Sequence, residues 1–406
     1  MITKQREYLS PKQVWLPLVT KRYNIAIKQV KINDRVQIGD VLSRQYAGKQ
    51  MRPVVSTVSG KIVDFQMKID RYNQLTENVI IETDNTGNSV ALSPLQGNIS
   101  TSIIRQRLID CGINQLDADG MYTEISFDRP ISYLIVNPIF IHEPFMSIDY
   151  EYIRDHANDI SDGIKLLKQA CRAKKVILVI DKYMDKETID ALGVVTINQG
   201  IELITINKKH VRGWEYEIAK KLVKRPLHKD LLEDGIMYVS SETCKTIHDA
   251  VRKGLVLTHR FIAVTGDAFP INAIYKVRIG TPFKDIVDDI GGYLETKAYN
   301  IHLGNFLTGT QVNNDEFSIT QNITSIHVST PLELTEEVCI KCGECNDICP
   351  SGILPQNIMD AEIRNNNYRI IQMHVNECVE CGLCSYVCPS KINVMEWVRR
   401  AKRRIR

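Results

Sequence analysis

Eight cysteines near the C-terminus constrain this chain more than any other feature. They read Cys339-x-x-Cys342-x-x-Cys345-x-x-x-Cys349-Pro350 and, after a spacer, Cys378-x-x-Cys381-x-x-Cys384-x-x-x-Cys388-Pro389. The spacing and the trailing proline occur twice, so the stretch is an internal repeat. Three thiolates at i, i+3 and i+6 can wrap one soft metal centre, and a fourth, at the start of a following helix, is swung away toward the other centre.

This crossed ligation is the pattern of bacterial two-cluster ferredoxins. It assigns Cys339, Cys342, Cys345 and Cys388 to one [4Fe-4S] cluster, and Cys378, Cys381, Cys384 and Cys349 to a second. Each trailing proline lacks a donor and fits the first turn of a helix. Gly343 and Gly382, between the second and third ligands, allow turns that point N–H groups at cluster sulfurs. A zinc ribbon would need four sulfurs from two C-x-x-C knuckles, not triplets with a distant Cys-Pro. A disulfide framework belongs to small secreted chains.

With 406 residues the chain is too long for one ordinary core, so several domains are expected. Its apolar fraction of 44% and charged fraction of 24% are those of a soluble globular protein. A net charge of +3 argues against bulk nucleic-acid binding. The first thirteen residues lack the apolar centre of a signal peptide. Thiolate-held clusters need reduced cysteines, which points to the cytoplasm. The longest apolar run, residues 131–141, is broken by Asn137 and Pro138 and is too short to span a bilayer, so membrane association is expected to be peripheral or through a partner.

Short alternating strands punctuated by Gly39-Asp40 and Ser59-Gly60 read as a small β domain, patterned like the barrel-sandwich hybrid of lipoyl and biotinyl carriers. No Met-Lys-Met hairpin occurs, so Met67-Lys68 reads as scaffold and not as a carrier lysine. After Pro94 helices alternate with apolar strands: a helix over 103–111, strands at 132–136, 176–180 and 203–206, and further helices around 160–171, 186–191 and 214–223. That alternation implies a mostly parallel sheet. No Gly-x-Gly-x-x-Gly follows a strand and no phosphate loop occurs. Strands around 262–267 and 275–282, with a helix over 283–290 stopped by Gly291-Gly292, suggest a β-grasp unit. Cys111, Cys171 and Cys244 read as small buried apolar residues. The tail carries Arg399, Arg400, Lys402, Arg403, Arg404 and Arg406, with Trp397, Val398, Ala401 and Ile405 at helical spacing opposite. It fits either an interfacial helix or a solvated helix end whose cations favour the negative dipole terminus.

In that order the four blocks resemble the C subunit of the Rnf ion-translocating electron transport complex. The residues that carry the resemblance are Gly39-Asp40 and Ser59-Gly60, Asn137 with Glu143-Pro144, Val264-Thr265-Gly266-Asp267 with Gly280-Thr281-Pro282, and the cysteine repeat. The resemblance covers nearly the whole chain. It implies a subunit in which FMN and NADH meet in the second block, near Asn137 and Glu143, and electrons pass through two clusters to membrane partners.

The chain departs from the family at the flavin loop, where Gly-x-Gly-Gly-x-x-Phe-Pro-Thr is replaced, over residues 112–123, by Gly-Ile-Asn-Gln-Leu-Asp-Ala-Asp-Gly-Met-Tyr-Thr. Such glycines let bare backbone N–H groups close on a phosphate or a flavin ring. Asp117 and Asp119 would instead repel a phosphate, by about 1 kcal/mol each at ~4 Å even in water. A Gly-Gly-Pro-Met-Met-Gly run is likewise eroded, over residues 303–309, to Leu-Gly-Asn-Phe-Leu-Thr-Gly.

Together these readings give a multidomain α/β and α+β chain: a barrel-sandwich hybrid over 1–94, a mostly parallel α/β flavin/NADH-type domain with a degenerate loop over 95–228, a β-grasp-like domain over 229–330, and an α domain of two-cluster ferredoxin type with a basic tail over 331–406. The expected function is electron transfer through two [4Fe-4S] clusters within a membrane-associated complex, on its cytoplasmic face. Other subunits would be its partners, and FMN and NADH binding would be weakened or lost. The alternatives are an intact FMN-dependent NADH-oxidising subunit, a related soluble carrier of the cobalamin- or amino-acid-reductase type, and a structural iron–sulfur scaffold.

Overall fold

The computed structural model describes residues 4–20, 23–48, 50–113, 127, 129–137, 150–182, 184–206, 215–225, 227–228, 231–294, 299–304, 307, 309–331 and 335–405. The chain divides into two compact units, one of residues 1–207, 230–305 and 309–330, the other of residues 208–229, 306–308 and 331–406. The architecture is mixed α/β, with sheets confined among the described residues to the first unit and short helices carrying the cysteine repeat in the second.

Two antiparallel sheets build the N-terminal part. One orders the strands Gln13–Pro17, Leu75–Thr83, Gly60–Ile69 and Arg35–Val36, and the other Ile25–Lys28, Val41–Ala47 and Gln50–Val55. Alternation does the sorting: in Gln13–Pro17 only Val14 and Leu16 are buried, as expected for a strand with one face on a core. Lys68 lies inside the strand Gly60–Ile69 with its ammonium 4.1 Å from the centroid of the Trp15 ring. It is a packed cation and not a residue presented at a hairpin tip.

Residues 4–8 do not belong to these sheets. The strand Lys4–Tyr8 pairs in parallel with Ala273–Arg278, at the edge of a six-stranded sheet completed by His259–Thr265, Ser325–Ser329, Asn300–Leu303 and Thr310–Val312. The polar N-terminus is thus a strand whose partner lies some 270 positions away, and a cut at residue 94 separates it from its sheet. The helix Phe283–Ile290 buries Phe283, Ile286, Val287 and Ile290 in the core of this sheet, where Phe283 stacks on Phe317 at 4.8 Å. It ends at Gly291, whose φ of 110° suits only glycine.

His302 and His327 stand opposite each other on adjacent strands of this sheet, and His327 Nδ1 shares a 2.9 Å hydrogen bond with Thr265 Oγ1. Burial, reinforced by His302, pushes the His327 pKa down to about 4. The fold therefore holds the neutral imidazole. Stability from this source is complete above the unfolded value near 6.5 and is lost as pH falls through about 4, up to about 3 kcal/mol in the limit. The urea midpoint should fall between pH 6.5 and 4, and by less in His327→Gln; equal pH slopes for the two proteins would contradict this account.

The fourth sheet is wholly parallel, in the order Ile201–Ile206, Lys175–Asp181, Tyr133–Asn137, Ile236–Ser240. Lys175–Asp181 is buried at every position after the first, as an internal parallel strand must be. The helices Ala157–Cys171 and Ser241–His248 pack together so closely that a Cβ on Gly163 would lie 1.8 Å from the carbonyl oxygen of Cys244. Cys111, Cys171 and Cys244 are all buried, and burial pushes the first two thiols up to about 12 and about 11. They are small core residues, as the sequence suggests.

In the second unit the helices Pro355–Ile363 and Val394–Arg404 pack around the cysteine-bearing segments. Pro355 starts the first of these, where its missing N–H costs nothing, and the Asn393 side chain caps the second by accepting from Glu396 N–H. Val394, Met395, Val398 and Ala401 face the core of the unit, with Trp397 and Ile405 packed against it. The apolar face of the tail is therefore already used, which removes the interfacial-helix reading. Its cations are tied locally: Lys402 to Glu380, Arg404 to Glu362, and Arg400 and Arg403 to Glu396. Arg406 lies outside the described residues.

Candidate metal centres

Each half of the repeat uses the same backbone device. Lys341 and Glu380 both have φ of 58°, and the glycines two residues later, Gly343 and Gly382, have φ of 84° and 75°. This pair of left-handed positions folds each loop back on itself. Each glycine is followed by one turn of helix, Glu344–Asp347 or Leu383–Tyr386, which presents the third cysteine. The fourth follows directly, before its proline.

Hydrogen bonds then set the halves in register. Glu337 N–H donates to the Ser390 carbonyl, and the Ser390 hydroxyl donates to the Val338 carbonyl. The second Cys-Pro segment is thereby laid against the first ligand loop. Cys339, Cys342, Cys345 and Cys388 line one cavity, with Ile392, Val394 and Met359 in its wall. The remaining four thiols also keep company. Burial first, and then Cys378 and Cys349, push the Cys381 thiol up to about 12; burial, Cys381, Cys378 and Cys349 push Cys384 up as well. The structure thus brings Cys388 into the cavity of the first three cysteines, and Cys349 near enough to Cys378, Cys381 and Cys384 to act on their thiols.

The chemistry of these sets fits a soft cluster. The donors are all sulfur, their walls are apolar, and the backbone N–H of Glu380 already donates to Cys378 Sγ at 3.4 Å. Burial keeps the unliganded thiols of Cys345, Cys378, Cys381 and Cys384 protonated, so metal must displace protons to bind.

Two features of the second loop escape sequence reasoning. Lys402, only 4% exposed, donates to the Cys378 carbonyl at 2.7 Å and to Glu380 at 3.1 Å. Arg399 also reaches Glu380, so one carboxylate inside the ligand loop anchors two cations of the terminal helix. The charge contrast between Glu380 and Lys341 at equivalent repeat positions was the available signal.

Elsewhere, Asn137 ends the strand Tyr133–Asn137, buried and in register with Ser240, on a sheet edge shared with the buried Asp181. These are carboxyl ends of parallel strands, where open α/β sheets generally place ligands. Glu143 and residues 114–126 of the glycine-poor loop lie outside the described residues. Asp159, His248 and Asp249 also converge. Lys253 bridges the two carboxylates, Lys245 pairs with Asp249 and Arg252 with the adjoining Asp162, so the group is a charge-compensated ion-pair network.

The geometry defines a class: an iron–sulfur protein with two [4Fe-4S] clusters. The family model described as a 4Fe-4S dicluster domain matches residues 338–392. Over a longer span the chain is similar to the C subunits of ion-translocating oxidoreductases. It is 25% identical over 325 residues to the C subunit of the Na(+)-translocating ferredoxin:NAD(+) oxidoreductase complex of Acetobacterium woodii, covering 77% of this chain and 73% of that one. The C subunit of the ion-translocating oxidoreductase complex of Buchnera aphidicola subsp. Baizongia pistaciae is 29% identical over 370 residues, covering 86% of this chain and 71% of that one. The equivalent protein of Vibrio cholerae O395 is 26% identical over 86% of this chain, which spans only 46% of that relative. The NAD+-reducing [NiFe]-hydrogenase in its H2-reduced state overlaps 73% of this chain and 63% of that one with a TM-score of 0.44 and 13% identity, a likeness too loose to argue from. The family resemblance read from the sequence is borne out. Among the described residues no helix is long and apolar enough to cross a membrane.

Proposed function

We propose that the chain relays electrons as a subunit of an ion-translocating oxidoreductase complex, peripheral to the membrane at its cytoplasmic face and held there by partner subunits. The observation that carries this reading is the gathering of eight cysteines into two adjacent crossed sets within one small apolar domain. Cys339, Cys342, Cys345 and Cys388 hold one cluster, and Cys349, Cys378, Cys381 and Cys384 the other. Bound there, the clusters supply reversible one-electron storage. The chain's own part is to fix thiolate geometry, to exclude water with Ile353, Met359, Val394 and Val398, and to donate backbone hydrogen bonds to the sulfurs.

We further assign the antiparallel sheets of the N-terminal part to a barrel-sandwich hybrid and the six-stranded sheet with its helix to a β-grasp-like domain. The parallel sheet is the flavin-type domain, with Asn137 at its carboxyl edge and Glu143 assigned to the same site by the family resemblance alone. Loss of loop glycines and gain of Asp117 and Asp119 weaken FMN and NADH binding there, so electrons enter from a partner protein. Anaerobically purified and reconstituted protein should contain about eight irons and no stoichiometric flavin. Release of one FMN per chain on denaturation, or reduction of the clusters by NADH alone, would show instead an intact subunit that oxidises NADH. Clusters silent in a potentiometric EPR titration would reduce the chain to a scaffold.

A further inference from the structure

The two ligand loops are alike in backbone and unlike in cover. Ile340 and Val379 hold the same place in the repeat, one residue after the first cysteine, yet Ile340 is 67% exposed and Val379 only 9%. Gly343 has nothing within 4 Å of its missing side chain, whereas a Cβ on Gly382 would lie 2.7 Å from the Leu307 carbonyl oxygen. Cys342 is exposed and its counterpart Cys381 buried. Val338, beside Cys339, is 87% exposed. Neither Val338 nor Ile340 belongs to the buried core of the unit; Ile340 also lines the cavity of the first four cysteines, whereas Val338 does not. On the same segment Glu336, Glu337, Glu344 and Asp347 are exposed, against Lys341, and Lys391 of the Cys-Pro segment bonded to it is exposed as well. The result is an apolar centre with a mainly acidic rim, built on the ligand loop itself.

Accepting the relay reading above, we propose that electrons enter or leave the chain at the first set, Cys339, Cys342, Cys345 and Cys388, through a docking patch centred on Val338 and Ile340. The occupant is a one-electron redox protein with a basic face. Apolar contact at the centre would set the approach distance, and the carboxylate rim would steer the encounter without holding it for long. The second set, beneath Val379 and the Glu380–Lys402 pair, is the inner station. The exchange transfers one electron with no bond made or broken: one partner is oxidised by one electron and the other reduced by one.

The test uses the full chain with both clusters, reduced with dithionite, and cytochrome c as a cationic one-electron acceptor. The rate of cytochrome reduction should fall with rising ionic strength, and a Glu337→Lys/Val338→Ser double variant, at two exposed positions outside the cysteine cavity, should be roughly tenfold slower at unchanged iron content and EPR signature. Hydrogen exchange at residues 338–344 should be slowed by added oxidised cytochrome c. Ferricyanide titration followed by alkylation should label Cys339, Cys342, Cys345 and Cys388 before the other four. Unchanged rates in the double variant, a rate that rises with salt, or first labelling of the second set would each overturn the proposal while leaving the relay standing. A dimer in the wild type that is lost in the double variant would assign the patch to a second copy of this chain and also overturn it. Protein that takes up no iron would remove the relay reading itself.

Discussion

Cys388→Ser should strip the cluster whose other ligands lie some 45 residues upstream, and leave intact the one whose ligands Cys378, Cys381 and Cys384 immediately precede it in sequence. Iron content should fall from about eight to about four, and iodoacetamide should then label Cys339, Cys342 and Cys345 while Cys378, Cys381 and Cys384 stay protected. Cys349→Ser should give the mirror image. The reason is geometric: the bonds Glu337 N–H to Ser390 and Ser390 Oγ to Val338 hold the second Cys-Pro segment against the first loop, where Cys388 joins the cavity of the first three thiols. Labelling of the same half of the repeat as the mutation would mean uncrossed ligation, and the assignment of both sets would fall with it.

Gly163→Ala should destabilise the first unit by about 3 kcal/mol, since the added methyl would lie 1.8 Å from the Cys244 carbonyl and two packed helices would have to separate. Helix propensity pulls the other way, by up to about 1 kcal/mol in favour of alanine, so the sign of the effect isolates the packing. The neighbouring helix Lys186–Thr196 provides the control. Gly193 has nothing within 4 Å of its missing side chain, and Gly193→Ala should stabilise by about 0.5–1 kcal/mol. Thermal or urea denaturation reads both. A Gly163→Ala protein as stable as wild type would show that the two helices do not approach as described.

Much of the architecture was open to reading because it depends on local pattern. The helix Phe283–Ile290 is placed by its apolar spacing and by Gly291, and the strands Lys175–Asp181 and Tyr133–Asn137 by unbroken apolar runs. The strand Lys4–Tyr8 was not legible, because its polar residues are held by a partner far along the chain and not by their own alternation. The terminal helix shows the same limit from the other side. Its amphipathic spacing fits a lipid surface or a protein core equally well, and only the packing of Val398 and Ala401 into the unit settles which.

The sequence alone determined the kind of chemistry, since the identity and the repeated spacing of the cysteines give an all-sulfur donor set of the two-cluster type, and each triplet lies within the reach of a few residues of chain. Only the tertiary structure decided which half of the repeat is open. Val338 and Ile340 are ordinary apolar residues in any pattern analysis, and their exposure depends on what the rest of the fold leaves uncovered. Burial is a property of neighbours brought from elsewhere in the chain, and a local pattern cannot report it.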